Sequence, residues 1–515
     1  MRRRRGRRHV YAGLALAVAA SCAGIAARAQ RVPSFTGEVQ VQELGLVFEP
    51  PPRRALLEVP SFAPGDLLVQ EDGLLRRVTR VDDEGETAGG WSLVVWIDRT
   101  LAGPETLFGA PLALAKEARR LAALGTVEVV VADPGPRTLL APTREARRIE
   151  QVLADLAGAA RVERDRSAAA GRRQRARDLP PATVRRQCDR VLARLAGRRD
   201  PGPHALLWVA DGGDEPALRE TGRLLAAYRW VALPLPLQRM EVGEPTRPWS
   251  DTERQREGLN TGGNDATVPP ASPPLMTFPS RRRGGVASLE VVAGLAVAPD
   301  LAPLRALVEE TAGHMVAVEA QLAPALDALA NRRQLWIERP AAGPTSDLHR
   351  LEATTIAGRP LRTFRWSRTA TPPALAEARL RALLADGAGL DPLPAVLAQA
   401  PAPRLELDLG RFRQAAAPAG GEPGRAARLL RLSLAVVAGE EPVSIWHEVL
   451  DAAALVRSGW RHAVTLPAAT EAGKVAVVVE DLAAESWAGA VVYRSDAAAG
   501  TRSSPAAPSR PPARR

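Results

Sequence analysis

Lysine is almost missing from this 515-residue chain: Lys116 and Lys474 are the only two, and arginine supplies the rest of the 69 basic residues. With so much alanine and proline beside it, that imbalance reads as the coding bias of a GC-rich bacterial genome rather than as a binding signal. Cysteine is equally scarce, with only Cys22 and Cys188. Histidine occurs six times, and the five beyond residue 9 (His204, His314, His349, His447 and His462) lack the paired spacing of metal ligands. No Gly-x-Ser-x-Gly elbow, His-Glu-x-x-His, Walker loop or glycine-rich dinucleotide fingerprint occurs, so no enzyme class is indicated. The apolar stretch Ala12–Ala20 is too short and too alanine-rich to span a bilayer.

That stretch has another meaning. Arg2 to Arg5, Arg7 and Arg8 precede it, and Ala27-Arg28-Ala29 follows as a small-x-small cleavage site. The three parts predict a secretory signal peptide over residues 1–29. The chain is therefore expected to be exported, to the periplasm or the cell surface, with no integral membrane segment once the leader is gone. Cys22 follows Ala19-Ala20-Ser21 without the leucine of a lipoprotein box. Removing the leader leaves Cys188 alone, so no intramolecular disulfide can form and the fold must rest on its cores. Seven arginines lie within the first 29 residues, which takes the net charge from +11 to +4. A balance that small gives no argument for nucleic acid, and none is expected as a partner. The runs Arg172–Arg177 and Arg281–Arg283 read as solvated loop charge.

Composition and periodicity divide the rest. Residues 30–88 read as a β segment, with a hairpin turning at Asp72-Gly73. Over 89–237 strands and helices alternate: strands at Leu93–Ile97, Val127–Ala132, Ala205–Ala210 and Trp230–Leu237, helices at Pro111–Ala123, after Thr143, at Ala182–Leu195 and at Ala217–Tyr228. Alternation of this kind predicts a mainly parallel sheet covered on both faces. The segment Arg161–Arg177 has no apolar period and is predicted to be a mobile surface excursion. Residues 238–287, rich in Pro, Gly, Ser and Arg, are expected to be a disordered insertion. Residues 288–332 close the α/β domain with a helix ended by Gly313, a strand His314–Val318 and a helix Leu322–Ala330. A β segment and linking helix fill 333–400, a β-sandwich 401–495, and a Pro/Ser/Arg tail 496–515. Most tryptophans lie in or beside predicted strands, which core packing explains.

Two strands end in aspartate: Trp96-Ile97-Asp98-Arg99-Thr100 and Val209-Ala210-Asp211-Gly212. Ligands of open α/β sheets sit beyond the carboxyl ends of the strands, and hard cations take oxygen ligands. Asp98 and Asp211 are thus candidate ligands for a cation or a polar partner. Aspartate after a strand also commonly caps a turn or helix.

With the strand–helix order, this pair resembles the von Willebrand factor A domain, in which Asp-x-Ser-x-Ser, a middle-loop threonine and a later aspartate hold a divalent cation that meets a partner's carboxylate. Asp98 matches the first aspartate, Thr100 stands for the first serine, and Asp211 matches the later aspartate. Ala102 occupies the second serine's place without an oxygen, and Thr183, the nearest middle-loop candidate, sits beside a predicted helix start. The resemblance implies a degenerate Mg²⁺ or Mn²⁺ site on Asp98, Thr100 and Asp211. A leader, a β segment closing on Val69-Gln70-Glu71-Asp72-Gly73, and Leu304-Arg305-Ala306-Leu307-Val308-Glu309-Glu310-Thr311-Ala312-Gly313, similar to an LxxLAxxTGG helix, extend the likeness to bacterial VWFA-related exported proteins over residues 35–340. It implies a Rossmann-like α/β domain flanked by β-rich segments. The implied role is non-enzymatic: interaction with or adhesion to an envelope or extracellular protein. A purely structural envelope scaffold is the alternative.

Overall fold

The computed structural model describes residues 41–50, 62–82, 90–169, 179–196, 198, 202–237, 301–340, 348–369, 371–387, 392–398, 404–413, 429–437, 442–466, 474–482 and 486–493. The leader, Cys22, the 238–287 insertion and the tail expected from the sequence lie outside them. The chain divides at residue 42, and all that follows concerns residues 43–515 apart from the first two residues of one strand.

That strand is β1 (Val41–Glu49), followed by β2 (Leu67–Glu71) and β3 (Leu74–Asp82). The β2–β3 hairpin turns as expected at Asp72-Gly73, both in the left-handed region (φ 51° and 77°) that tight hairpin turns require. The α/β section then inserts β4 (Trp91–Asp98), α1 (Pro104–Lys116), α2 (Ala118–Leu124), β5 (Gly125–Asp133), β6 (Gly135–Thr143) and α3 (Ala146–Ala169). It continues with α4 (Pro181–Leu195), β7 (His204–Val209), α5 (Glu215–Ala227), β8 (Trp230–Pro234), α6 (Ala302–Thr311) and α7 (Leu322–Ala330). Its five-stranded sheet runs β6-β5-β4-β7-β8, with four parallel strands and β6 antiparallel at one edge.

All eight residues of β4 are buried, because this central strand is covered on both faces. Leu93, Val95 and Ile97 enter one core with residues of α1, α2, α3 and α7. Val94 and Trp96 enter the other, with α4, α5 and α6. Several local expectations are corrected. The helix expected over Pro111–Ala123 is two helices meeting at Glu117. The supposed excursion from Arg161 is helical through Ala169, carried by Ile149, Leu153 and Ala157, which anchor its first half in the core. His314–Val318 forms no strand, although Val316 N donates to Pro234 O (3.0 Å). The left-handed residue ending α6 is Ala312 (φ 55°), whereas Gly313 is needed because a Cβ there would lie 1.7 Å from Ala232 O.

After α7 the chain returns as β9 (Arg333–Pro340), β10 (Leu348–Thr355), β11 (Arg362–Thr363) and β12 (Trp366–Arg368). These strands and β1–β3 make one seven-stranded sheet, ordered β11-β1-β9-β3-β2-β10-β12. Segments on either side of the α/β section in sequence thus share a sheet. Buried Glu71 lies within it, satisfied by Ser367 Oγ (2.6 Å), Arg76 Nε (2.9 Å) and Arg339 Nη1 (3.3 Å).

The last part comprises α8 (Pro373–Asp386), β13 (Ala395–Ala398), β14 (Arg404–Asp408), β15 (Leu429–Val437), β16 (Pro442–Asp451), α9 (Ala452–Arg457), β17 (Arg461–Thr465), β18 (Lys474–Asp481) and β19 (Ser486–Tyr493). Two antiparallel sheets, β13-β14-β17 and β16-β15-β18-β19, contribute alternate residues to one core, among them Leu405, Leu407, Leu432, Leu434, Val477 and Val479. The outer face of the second sheet takes Leu380 and Leu383 of α8 against Ala435, Ala476 and Val478. The other side of α8 meets α4 through two ion pairs of opposite polarity. Arg190 Nε reaches Asp386 Oδ1 at 2.9 Å, and Arg381 makes a bidentate pair with Asp189 (2.8 and 3.0 Å).

Beneath them lies a buried charge triad. Glu480 (β18) accepts from Arg379 Nη1 (α8) and from Arg431 Nε (β15, 2.8 Å). Arg379 Nη2 also donates to Ala196 O (2.9 Å), and Arg431 Nη1 to Thr371 O (2.7 Å). All three side chains are at most 5 % exposed. Removing one member of such a group strands the others' charge, which costs about 3–5 kcal/mol. Glu480→Ala is therefore expected to lower the unfolding free energy by about that amount in urea denaturation. A loss under about 1 kcal/mol, the range of surface ion pairs, would show that the triad holds nothing.

Candidate functional site

The sheet order reverses between β4 and β7: the chain leaves β4 toward β5 on one side, and β7 and β8 lie on the other. Crevices at such reversals, beyond the carboxyl ends of the strands, are where open α/β sheets bind ligands. Asp98 is the last residue of β4, and Asp211 follows the end of β7 by two residues. The structure thus brings both aspartates to one end of adjacent strands. A single residue connects their loops: Leu101 N donates to Asp98 Oδ1 (2.9 Å), and Leu101 O accepts from Asp211 N (3.1 Å).

What the carboxylates do there is local. Asp98 is fully buried, and its Oδ1 also accepts from Thr100 N (3.0 Å), so it folds the turn after β4. Asp98 Oδ2 has no hydrogen-bond partner among the described residues. Asp211 Oδ2 accepts from Gly103 N (2.5 Å) and Oδ1 from the Thr106 hydroxyl. Gly103 begins α1 without a capping side chain of its own, so Asp211 reaches across from the next strand to tie down that helix end. Three residues on, Asp214 Oδ2 accepts from Ala217 N (3.1 Å) and caps α5 conventionally. Thr100 Oγ1 accepts from Gln187 Nε2 of α4 (3.0 Å). Thr183 stands in the first turn of α4, its hydroxyl accepting from Arg186 (3.3 Å). Ala102 is buried in the apolar core.

A divalent cation needs about six oxygen ligands. Both Asp211 oxygens, Asp98 Oδ1 and the Thr100 hydroxyl already accept internal hydrogen bonds, and Asp98 Oδ2 alone stays uncommitted. These donors do not fit Mg²⁺ or Mn²⁺ as they stand. Among the described residues, no three His, Cys, Asp or Glu side chains cluster as ligands elsewhere. Gln187, Thr106 and Gly103 complete this polar cluster, and the sequence carried no signal for them. Their partners lie 87 to 108 residues away in the chain.

Burial governs the electrostatics. It pushes the Asp98 carboxyl up to about 7, against the opposing pull of the Leu101 and Thr100 amides and the Arg190 charge. Asp211 is raised for the same first reason, with Thr106 and Gly103 opposing. Cys188 is buried in the core, and its thiol is pushed up to about 12, chiefly by desolvation. The histidines are dispersed in local pairs, such as His314 with Glu49 and His349 with Asp72 (both 2.7 Å). Ser433, His447 and Glu377 do align, with Ser433 Oγ 2.7 Å from His447 Nδ1 and His447 Nε2 3.8 Å from Glu377. Ser433 is fully buried, however, and cannot meet a substrate as a nucleophile.

No protein-family model matches the chain, and no curated protein matches it. Among solved structures it is similar to the conserved hypothetical protein BatB from Bacteroides thetaiotaomicron, at 11% identity and a TM-score of 0.19, covering 29% of this chain and 67% of that one. An aerotolerance-related membrane protein from Bacteroides fragilis matches at 10% identity and a TM-score of 0.22 over 46% of this chain and 99% of that one. The pilus adhesin SpaC from Lactobacillus rhamnosus GG matches at 8% identity and 0.22, over 81% and 57%. Scores this low carry no argument about function.

The raised Asp98 carboxyl makes a signed prediction. In the unfolded chain it ionises near its ordinary value of 3.8, in the fold only near 7, so its contribution to stability falls as pH rises between those values. Asp98→Asn keeps the acceptor for the two amides and removes the titration. It is expected to leave the melting temperature unchanged at pH 4 and to raise it at pH 8, flattening the pH profile in between. Equal effects at both pH values would contradict the assignment.

Proposed function

We propose that this is an exported protein whose α/β section is a von Willebrand factor A-type module, carried with a C-terminal β-sandwich, and that it mediates protein–protein interaction or adhesion at the bacterial cell envelope without a metal ion. The strand order carries this reading: four parallel strands with one antiparallel edge, and an aspartate at the carboxyl end of each strand flanking the reversal. The leader-like start of the chain supports export. Among the described residues no helix is long and apolar enough to cross a membrane.

The donor assignments support a role without metal. The oxygens that would meet a cation instead fix the β4 turn and the start of α1. The partner-facing surface is the exposed rim of this end of the sheet around Arg99 and Thr100, with the aspartates beneath it as supports. The same burial of Asp98 favours a second reading, a structural scaffold in which that end contacts nothing.

Saturating Mg²⁺ or Mn²⁺ is expected to leave the melting temperature of the purified protein unchanged. Crosslinking to envelope proteins in the parent cell is expected to give the same partner with and without chelator. Chelator-sensitive crosslinking would overturn the metal-free reading, and a protein that crosslinks to nothing would leave the scaffold. Asp211→Ala is expected to cost about 1–2 kcal/mol through the lost tie to α1, read by denaturation, whether or not metal is present.

A further inference from the structure

Where α8 bridges the α/β section and the C-terminal sheets, it leaves a cleft of about 570 Å³. Clefts of roughly 300–1,000 Å³ are the usual size for small-molecule sites. Its walls come from the carboxyl ends of β4 and β5, from β6, from α4 and α8, and from Trp487 of β19. Five arginines line it (Arg99, Arg137, Arg190, Arg194 and Arg379) against two aspartates, Asp133 and Asp386.

Arg190 and Arg379 are committed to Asp386 and Glu480. Arg194 holds Glu128 (2.7 Å). At the rim, Arg99 pairs with Asp133 and Glu163, both more than half exposed and so weakly held. Arg137, on the edge strand, is exposed and no described group pairs with it. Two exchangeable guanidinium forks thus stand at the mouth of the cleft, above wall arginines that are already ion-paired. Planar forks of this kind match carboxylate and phosphate oxygens. Leu383, Pro136 and the Trp487 ring supply apolar wall between them.

We infer that this cleft is a binding site for a small multivalent oxyanion, a polycarboxylate or a phosphate ester, held by Arg99 and Arg137 at the mouth above the arginine-lined wall of α4 and α8. The inference rests on the cleft and not on the proposed envelope role. A ligand here would touch α4, α8 and β19 together, and so would strengthen the junction between the α/β section and the C-terminal sheets.

Calorimetric titration of the full chain with citrate and, separately, with pyrophosphate tests it, with melting temperature as a parallel readout. Saturable binding of at least one anion at one site per chain is expected, and the preferred arm identifies carboxylate or phosphate as the natural chemistry. Arg137→Glu changes an exposed, unpaired side chain and leaves the fold intact by circular dichroism; it is expected to weaken binding by about tenfold or more. Arg305→Glu, on the exposed side of α6, makes the same change in net charge and is expected to leave the affinity unchanged. Absence of binding in both arms would overturn the site. So would an Arg137→Glu affinity equal to the parent's, or an Arg305→Glu loss as large as that of Arg137→Glu, since the binding would then be unspecific attraction to a basic protein.

Discussion

One carboxylate decides how this protein is put together. Glu480 sits at the centre of the C-terminal sheet, where burying an unpaired charge would be prohibitive, so it can be accommodated only with Arg379 and Arg431 in place. Arg379 belongs to the helix that leads in from the α/β section, and it also holds the carbonyl at the end of α4. Arg431 holds the carbonyls of Thr371 and Pro372, where that helix begins. The triad is complete once α8 docks on the C-terminal sheet, and the bond from Arg379 to Ala196 O, with the α4–α8 ion pairs, ties it to the α/β section.

The near absence of lysine shapes the interior in the same way. A guanidinium carries several donors in a fixed plane, so one arginine can serve two or three acceptors at once. Arg379, Arg431, Arg339 and Arg332 each tie a carboxylate to a backbone carbonyl or to a second sheet. Lysine, with a flexible stem and a point charge, fixes no such geometry. The compositional bias that says nothing about ligands thus has a structural consequence: polar crosslinks between sheets that share little sequence continuity. The arginine-lined cleft beside α8 has the same origin, because α8 spans two bodies whose facing surfaces are stapled by guanidinium groups at a few points.

The alternation of strands and helices, the hairpin at Asp72-Gly73, and the helices Pro181–Leu195 and Leu322–Ala330 were legible because each carries its period or turn chemistry within a few residues. The strand β6 was not. Pro136, Arg137 and Pro142 break its pattern, and proline is tolerated only because β6 is an antiparallel edge. Nor was β16, whose exposed outer residues give it no clear alternation. The arginine-rich end of α3 misled for the opposite reason: arginine, glutamate and alanine are good helix formers, and a helix anchored by its first turns needs no apolar period at its end. Hardest to read was the pairing of residues 67–82 with 333–368 across an entire inserted section, since register across hundreds of residues leaves no local trace.

The two strand-end aspartates show how far a motif can be read. Their position followed from sequence, because a carboxylate at the end of an apolar strand must lie at the sheet's carboxyl edge. Their chemistry did not, because it depends on which donors arrive from elsewhere. An alanine at position 102 removes one oxygen from the loop, and Gln187 and Thr106 bring donors to oxygens that remain. Once backbone amides and a hydroxyl occupy the carboxylates, their remaining charge is a burden, and burial raises both carboxyls toward protonation. A cation would stabilise the ionised form. A protonated Asp98 can remain buried with one oxygen uncommitted at far lower cost than an ionised one.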